Sequence, residues 1–508
     1  MKNLSRAVAL TATTALVLRP TAALLELPEK VLQFGTGVLL RGLPDYLIDK
    51  ANRQGIFNGR IVVVKSTDGG DLSAFERQDN LYTLGIRGVA DGHPVEENVV
   101  CASISQVLSA DSQWAEVLAC ARNPELRVVI SNTTEVGIEL IPDDVRQAPP
   151  RSFPGKLLAV LYARFQAFNG DKTKGLVIVP TELIPNNGRK LEAILLELAY
   201  RNDLESEFIE WLGTANACCN SLVDRIVPGR PTEEAYYALT TQLGYQDELL
   251  TMAEAYLLWA IEGNERVKAV LSFHRTDSGV IIQPDIDLFR ELKLRLLNGT
   301  HTLSCGLAFL SGCATVREAM DNALVAGFIQ SLLNELRLGI PYPVDEETGR
   351  RFGSQVLDRL RNPAIEHRWL TITAQCSLKM RLRNVPTLRH YSDRFGTAPP
   401  GMALGFAAYL LFMRGTRQQG KEWYGTAHTT EYTIQDEQAG YFAGLWSSGL
   451  NTADLTTAVL QNQALWGHDL SQLPGFAASV SDYLQQLLET GVAATVGGYL
   501  TRATTSAR

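Results

Sequence analysis

The chain has 508 residues, of which 45% are hydrophobic and 20% charged, and it carries a net charge of -8 with a pI near 5.6. This composition is typical of a globular protein with a substantial core, large enough for two or three domains. The acidic balance excludes a general nucleic-acid surface, which needs a concentrated basic footprint, although a local basic patch stays compatible with it.

The cysteines and histidines do not indicate a metal site. The seven cysteines are odd in number, scattered and without a CxxC pair, which predicts neither a disulfide framework nor a zinc site. The seven histidines include no HExxH or other ligand-spaced pair. We therefore expect reduced thiols, a cytoplasmic location and chemistry without a metal.

The N-terminal segment, residues 1–23, allows two interpretations. A lysine and an arginine precede the apolar run AVALTATTALVL, and Thr21-Ala22-Ala23 follows shortly after it, which is typical of a short signal peptide. The Arg-Pro pair directly after the run favours instead a disordered start to a cytoplasmic protein. A second apolar run, residues 402–413, is too short to span a bilayer, so we expect a buried helix and no membrane partner.

From Lys30 the chain reads KVLQFGTGVLLRG, which predicts a strand, a glycine turn and a helix. Glycines in such a turn let the backbone approach a pyrophosphate that rests on the helix N-terminus. The third glycine of a GxGxxG motif is replaced by Leu40, so a plain strand-to-helix turn is an equal alternative. On the dinucleotide interpretation, the cofactor contacts are Phe34, Gly35, Thr36 and Gly37.

Further buried strands follow the glycine turn. The second, RIVVVKSTD, lies where a dinucleotide fold reads the adenosine ribose; Lys65 leaves NADP open, whereas the later Asp68 favours NAD. The third, LRVVISNTTEVGI, ends in polar residues at the carboxyl edge where open α/β sheets bind ligands. Those residues are Asn132, Thr133, Thr134 and Glu135. A fourth buried strand lies in KGLVIVPTELIPNNG, and the alternation of strands and helices predicts a mostly parallel, doubly wound sheet.

Helical patterns dominate the second half of the chain. They begin near Asn187, are interrupted by a predicted loop, NSLVDRIVPGRP, and by the apolar run GVIIQPDI, and continue from about residue 288 to the end. We therefore predict an α/β nucleotide-binding domain over residues 25–287 and a mainly α-helical domain over residues 288–508.

The stretch KLRLLNGTH places an amine, an amide and an imidazole within nine residues, at Lys293, Asn298 and His301. In an α-helix, at about 100° per residue, His301 lies roughly 80° and Asn298 roughly 140° round from Lys293. Three polar groups could then converge on one bound molecule. The alternatives are a solvated lysine on an amphipathic helix and a helix end at Asn298-Gly299.

A basic segment, SLKMRLRNVPTLR, gathers Lys379, Arg381, Arg383 and Arg389. If the segment is extended, its alternating cations share one face. A carboxylated substrate needs such a guanidinium fork, whereas a neutral hexitol does not. A solvated basic surface is an equal alternative.

Taken together, these segments resemble the mannitol dehydrogenase family of polyol-specific long-chain dehydrogenases. FGTGVLLRG resembles its glycine loop, SNTTEVGI its threonine and glutamate segment, and SLVDRI its aspartate and arginine loop. KLRLLNGTH resembles its lysine, asparagine and histidine signature, the most specific of the four because type and spacing must both agree. The resemblance covers nearly the whole chain. It implies a Rossmann-type domain followed by a helical domain, and an NAD-dependent enzyme without a metal.

The resemblance also implies a role for each signature residue. Lys293 is the general acid in carbonyl reduction and the general base in alcohol oxidation, while Asn298 and His301 hold the oxygen and the neighbouring hydroxyl. Asp224 binds a substrate hydroxyl or stabilises the lysinium; the alternative is an ion pair with Arg225 or a loop cap. Mannitol-type members carry an asparagine in the loop where this chain reads Thr-Glu-Leu, which leaves Asn298 alone in its role.

The Lys-x-Arg-x-Arg pattern of the basic segment is similar to that of members acting on sugar acids, so we predict a small sugar-acid substrate from hexuronate breakdown. Another polyol or uronate dehydrogenase of the family is the alternative within enzymes. A non-catalytic nucleotide-binding sensor is the alternative from another class. The oligomeric state and the physiological direction stay open.

Overall fold

A computed structural model describes residues 1–11, 15–67, 69, 71–133 and 137–506. The chain forms two compact units, the first from residues 1–87 and 94–286 and the second from residues 88–93 and 287–508.

The first unit combines helices with strands, most of which are short. The strands that lie in it wholly or in part are β1 (Lys2–Asn3), β2 (Glu29–Phe34), β3 (Arg60–Lys65), β4 (Tyr82–Ala90), β5 (His93–Cys101), β6 (Ile104–Ser109), β7 (Val128–Ser131), β8 (Val177–Pro180), β9 (Ala217–Cys218), β10 (Ser221–Asp224), β11 (Tyr245–Gln246), β12 (Thr251–Glu254), β13 (Leu258–Glu262) and β14 (Val280–Gln283).

A parallel sheet organises this unit. Within the described residues it has six strands in the order β6-β3-β2-β7-β8-β9. Numbered from β2 along the chain, this is the 3-2-1-4-5-6 order of dinucleotide-binding folds. Alternate residues of β2 enter two different apolar clusters, Val31 one and Leu32 and Phe34 the other, because both faces of the sheet are covered. The predicted doubly wound sheet is confirmed.

Helices connect and cover these strands. They are α1 (Arg6–Thr11), α2 (Val38–Gly42), α3 (Pro44–Arg53), α4 (Ser73–Arg77), α5 (Trp114–Cys120), α6 (Phe153–Ala167), α7 (Asn187–Arg201), α8 (Ser206–Ala215), α9 (Glu233–Leu243) and α10 (Glu265–Val270), with single 3-10 turns at Ala22–Glu26, Lys172–Lys174 and Ser272–Thr276.

Two expectations for this unit are wrong. The predicted loop SLVDRI contains β10, which pairs antiparallel with β13 because its apolar side chains pack into the unit. The start of the chain is ordered where it is described: β1 pairs parallel with β11, and Leu4 is fully buried beside Ala9 and Leu243. The interpretation as a disordered terminus therefore fails for these residues.

The second unit is mainly helical. Its helices are α11 (Asp287–Leu292), α12 (Gly299–Leu310), α13 (Val316–Asp321), α14 (Ala323–Leu338), α15 (Glu346–Leu360), α16 (Trp369–Ile372), α17 (Cys376–Lys379), α18 (Val385–Phe395), α19 (Pro400–Phe412), α20 (Ala439–Ser447), α21 (Thr452–Leu460), α22 (Gln463–Trp466) and α23 (Phe476–Ser506), with a 3-10 turn at Leu470–Gln472. Two π-helices, Lys293–Asn298 and Met380–Asn384, interrupt this series.

Helix α19 confirms the predicted buried helix, since nearly all of its side chains lie in the core. None of the helices in the described part of the chain is long and apolar enough to cross a membrane. The predicted mainly helical domain is confirmed, and it also contains an antiparallel sheet of β15 (Arg417–Gln419), β16 (Glu422–Ala427) and β17 (Thr430–Ile434).

Candidate active-site residues

The glycine turn lies at the carboxyl end of β2, next to the end of β7, where the strand order reverses. Gly35 has φ +126°, and a Cβ there would lie 2.7 Å from the carbonyl oxygen of Asn132, so this position accepts only glycine. Gly37 precedes α2, and a Cβ on it would meet nothing within 4 Å. The first glycine therefore packs the turn against β7, and the second keeps open space at the edge where dinucleotides bind.

A buried carboxylate orders the polar segment after β7. Glu182 accepts hydrogen bonds from the backbone N–H and the hydroxyl of Thr133, both at 2.9 Å, and from the hydroxyl of Ser131 at 3.1 Å. Burial raises the pKa of Glu182, and these donors act in the opposite direction. The amide of Asn132 donates to the carbonyl of Thr181 at 3.1 Å. The Thr-Glu-Leu loop thus holds Asn132 and Thr133; predicted Asp68, Thr134 and Glu135 lie outside the described residues.

Asp224 is buried at the end of β10. The guanidinium of its neighbour Arg225 donates to the backbone carbonyls of Glu254 and Gly42 and stacks 5.0 Å from the ring of Tyr46. These bonds anchor the strand end that carries Asp224.

The lysine, asparagine and histidine signature spans a change of helix type. A π-helix begins at Lys293 and ends at Asn298, and α12 continues from Gly299 without a break. The alternative of a helix end at Asn298-Gly299 is therefore wrong. The backbone N–H of Gly299 donates to the carbonyl of Leu294, five residues earlier. Because this turn is wider than an α-helical one, the angles predicted between Lys293, Asn298 and His301 for an α-helix do not apply. Lys293 and Asn298 are half-buried, and Leu297 between them is buried.

The imidazole of His301 has a defined tautomer. Its Nδ1 lies 3.0 Å from the carbonyl oxygen of Leu297, which can only accept, so Nδ1 carries the proton and Nε2 is a hydrogen-bond acceptor. Burial, followed by the nearby basic groups of His367 and Arg359, lowers the pKa of His301 to about 3. The ring is therefore neutral at physiological pH, and His301 as a residue is half-buried.

The alternating pattern predicted an extended basic segment, but the segment is helical. It forms α17, a π-helix and α18, whose apolar residues Met380, Val385 and Leu388 are buried. The four predicted cations consequently separate into two pairs. Lys379 donates to the carbonyl of Ile372 at 3.0 Å and Arg383 to the hydroxyl of Thr302 at 3.1 Å. The other two contact the segment at residues 464–468: Arg381 donates to the Ala464 carbonyl and Arg389 lies 2.8 Å from His468.

Lys379 and Arg383 belong to a group of basic side chains, here called the cation cluster, which consists of the cations Arg359, Lys379 and Arg383 and the histidines His301 and His367. Burial lowers the pKa of Lys379, with a further contribution from Arg383, and burial also lowers the pKa of Arg383. The pKa of His367 falls by burial and by the charges of Lys379 and Arg359. The nearby groups that raise the pKa of Lys379 are the thiols of Cys376 and Cys305, followed by the carboxyl of Asp436. A carboxylate entering this cluster would relieve the mutual repulsion of its cations.

Two members of the cation cluster were not predicted from the sequence. The ring of His367 lies 5.4 Å from that of His301, and Arg359 on α15 is close enough to act on both histidines. Neither residue stands in a motif, and only the folding of α15 and α16 against α12 places them there.

Family models match both parts of the chain. The mannitol dehydrogenase Rossmann domain matches residues 29–274, and the mannitol dehydrogenase C-terminal domain matches residues 285–488. Together they cover most of the 508 residues.

Similar proteins extend over nearly the full length. The altronate oxidoreductase of Bacillus subtilis (strain 168) is 38% identical over 470 residues, covering 92% of this chain and 94% of that protein. The altronate oxidoreductase of Pectobacterium carotovorum subsp. carotovorum (strain PC1) is 38% identical over 93% of this chain and 97% of that protein.

Solved structures share the fold. A D-sorbitol dehydrogenase in substrate-free form aligns with a TM-score of 0.76 at 21% identity, covering 97% of this chain and 100% of that one. The mannitol 2-dehydrogenase of Pseudomonas fluorescens, in a ternary complex with NAD and D-mannitol, aligns with a TM-score of 0.64 at 24% identity, covering 99% and 100%. From the two domain matches and the full-length relatives, the chain belongs to the mannitol dehydrogenase family.

Proposed function

We propose that this chain is an NAD-dependent tagaturonate reductase, or altronate oxidoreductase, which interconverts D-tagaturonate and D-altronate in hexuronate breakdown. Its class, a nicotinamide-dependent oxidoreductase acting on a CH–OH group, follows from family membership and from the altronate oxidoreductases that are 38% identical to it. The observation that supports a sugar acid is the cation cluster, since Arg383 acts on His301 and Lys379 acts on His367, whose ring lies 5.4 Å from that of His301.

The glycine turn fits a dinucleotide. Gly35 has no room for a Cβ and Gly37 opens onto free space, so the backbone at the carboxyl end of β2 can approach a pyrophosphate. Gly35, Thr36, Gly37, Asn132 and Thr133 would hold the cofactor there. When bound, a reduced nicotinamide supplies the hydride that adds to the ketone carbon of the substrate.

The signature residues would handle the charge that this addition creates. As hydride adds to the ketone carbon, the carbonyl π electrons move to oxygen, and the ammonium of Lys293 donates a proton to that oxygen. The amide N–H of Asn298 donates a hydrogen bond to the same oxygen in the transition state. Because Nε2 of His301 is an acceptor, His301 takes the neighbouring substrate hydroxyl rather than the oxyanion. Alcohol oxidation reverses each step.

The substrate would be oriented by its carboxylate. Arg383 offers a planar guanidinium suited to bidentate pairing, and Lys379 offers a second charge from the preceding turn. A neutral ketose has no group to match these cations.

A substrate panel tests the proposal. Oxidation of NADH is measured with tagaturonate, fructuronate and fructose in the presence of a chelator, with NADPH as the alternative cofactor. We expect tagaturonate with NADH to give the highest kcat/KM and the chelator to have no effect, because Lys293 supplies the proton. Fructose as the best of the three substrates would refute the role of the cation cluster.

Replacement of Lys293 tests the proton donor. Lys293→Ala should reduce kcat at least a hundredfold, the lower end of what a positioned general acid contributes being about 10²-fold. NADH affinity, measured by the quenching or enhancement of its fluorescence, should change less than twofold. Unchanged turnover would exclude this mechanism, and lost NADH binding would indicate a folding defect instead.

A further inference from the structure

The two π-helices of the second unit are joined by one buried arginine. Arg295, two residues after Lys293, is 7% exposed. Its Nη1 donates to the carbonyl oxygens of Leu382 at 2.7 Å and Arg383 at 2.9 Å. Its Nε donates to the carboxylate of Glu291 at 2.8 Å, one helical turn earlier. The guanidinium thus connects the backbone that carries Lys293 to the backbone that carries Arg383.

The sequence explains why the carbonyl of Leu382 can accept from outside its helix. Pro386 has no backbone N–H, so the carbonyl of Leu382, four residues earlier, lacks its α-helical donor. The proline ring also crowds that carbonyl, and the wider turn of the Met380–Asn384 π-helix accommodates it. Arg295 donates a hydrogen bond to this carbonyl from a different helix.

Two further bonds run between the same segments. The amide of Asn384 donates to the carbonyl of Gly299 at 3.1 Å, and a Cβ on Gly299 would lie 3.1 Å from that amide nitrogen. Arg383 donates to the hydroxyl of Thr302, which in turn donates to the carbonyl of Asn298 at 2.8 Å. The lysine signature and the basic segment are therefore held in one register by side-chain to backbone bonds.

We propose that Arg295 is a positioning residue that fixes Arg383 relative to Lys293 and Asn298. The inference rests on the proposed function, in which Arg383 takes the substrate carboxylate while Lys293 protonates the ketone oxygen. Both groups must engage the same substrate molecule at once, and a displacement of about 1 Å can reduce a rate about a hundredfold. Glu291 orients the guanidinium and so contributes to the same positioning.

A double-mutant cycle tests this role with tagaturonate as substrate. Arg295→Lys cannot reach two carbonyls and Glu291 together, so we expect kcat/KM to fall about ten- to fiftyfold, no further than removal of Arg383 itself, with NADH affinity unchanged within twofold. In an Arg383→Met background, the same change should cost less than threefold, because the contact that Arg295 positions is already absent. Glu291→Gln should give a smaller loss in the same direction.

A matched control separates positioning from stability. Arg164 is fully buried in the first unit and also donates to backbone carbonyls, among them those of Ala121 and Leu126. Arg164→Lys should lower the Tm without changing the ratio of kcat/KM for tagaturonate over fructose, whereas Arg295→Lys should lower that ratio. Additive effects in the cycle, with the wild-type preference for tagaturonate intact, would overturn the role of Arg295 alone. A wild-type enzyme without that preference would refute the proposed function.

Discussion

Arg383 and Arg381 stand two residues apart in one π-helix, yet the structure directs them to different surroundings. Arg383 is half-buried in the cation cluster, and Arg381 is exposed and donates to the carbonyl of Ala464. Replacing each with methionine keeps the length of the apolar stem and removes the same charge. Only Arg383→Met should therefore weaken the use of a carboxylated substrate.

The expected size of the effect follows from the surroundings of Arg383. A hydrogen bond to a charged group contributes about 1.5 to 3 kcal/mol, and each 1.4 kcal/mol corresponds to about a factor of ten. Because Arg383 is only half-buried and would share the proposed substrate carboxylate with Lys379, we take the lower half of this range. We expect kcat/KM for tagaturonate to fall about ten- to fiftyfold in Arg383→Met.

Steady-state NADH oxidation measures this loss, with fructose and tagaturonate compared for each variant. Arg383→Met should raise KM for tagaturonate and leave the low activity on fructose within threefold of the wild type. Arg381→Met should change neither substrate more than twofold. Equal losses on both substrates, or equal losses in both variants, would refute the assignment of the carboxylate to Arg383.

The remaining predictions concern the glycine turn and His301. Gly35→Ala should lower the free energy of unfolding by about 1 to 3 kcal/mol, since a residue with a side chain is strained at φ +126° and its Cβ would meet the Asn132 carbonyl. Gly37→Ala should unfold like the wild type but bind NADH at least tenfold more weakly. A normal NADH affinity of Gly37→Ala would exclude a pyrophosphate at this turn. The pKa of His301 is 6.5 in the unfolded chain and about 3 in the folded one, so between these pH values only the unfolded chain binds the extra proton. The neutral ring therefore stabilises the folded chain fully above pH 6.5, and the free energy of unfolding decreases as the pH falls below that value. His301→Gln should flatten the loss of urea midpoint between pH 7 and 5, and an unchanged slope would contradict a buried neutral ring.

Local sequence patterns predicted the structure correctly where the residue type itself restricts the backbone conformation. The glycine turn was predicted because a strand, two glycines and a helix leave little choice of conformation, and Gly35 does occupy a conformation open only to glycine. The doubly wound sheet followed from the alternation of apolar strands and helices, and its order is the expected one.

Other patterns were misleading because the groups that surround a charged side chain are set only when the chain folds. The alternation of Lys379, Arg381 and Arg383 suggested one face of an extended chain, but the segment is helical and Arg381 turns away from the other two. The sequence did not predict the type of helix either, since the π-helix at Lys293 depends on packing rather than on a residue pattern. The strand that carries Asp224 read as a loop because its pairing partner, β13, is distant in sequence.

The sequence by itself determined the family and the order of the two domains, and it predicted Lys293, Asn298 and His301 as site residues, because each of these inferences depends on residue type and spacing along the chain. Only the tertiary structure decided which cations share a cluster. It brought His367 and Arg359 to His301, and it joined the two π-helices through Arg295. Such contacts link residues that are tens of positions apart, and no local preference of the chain specifies them.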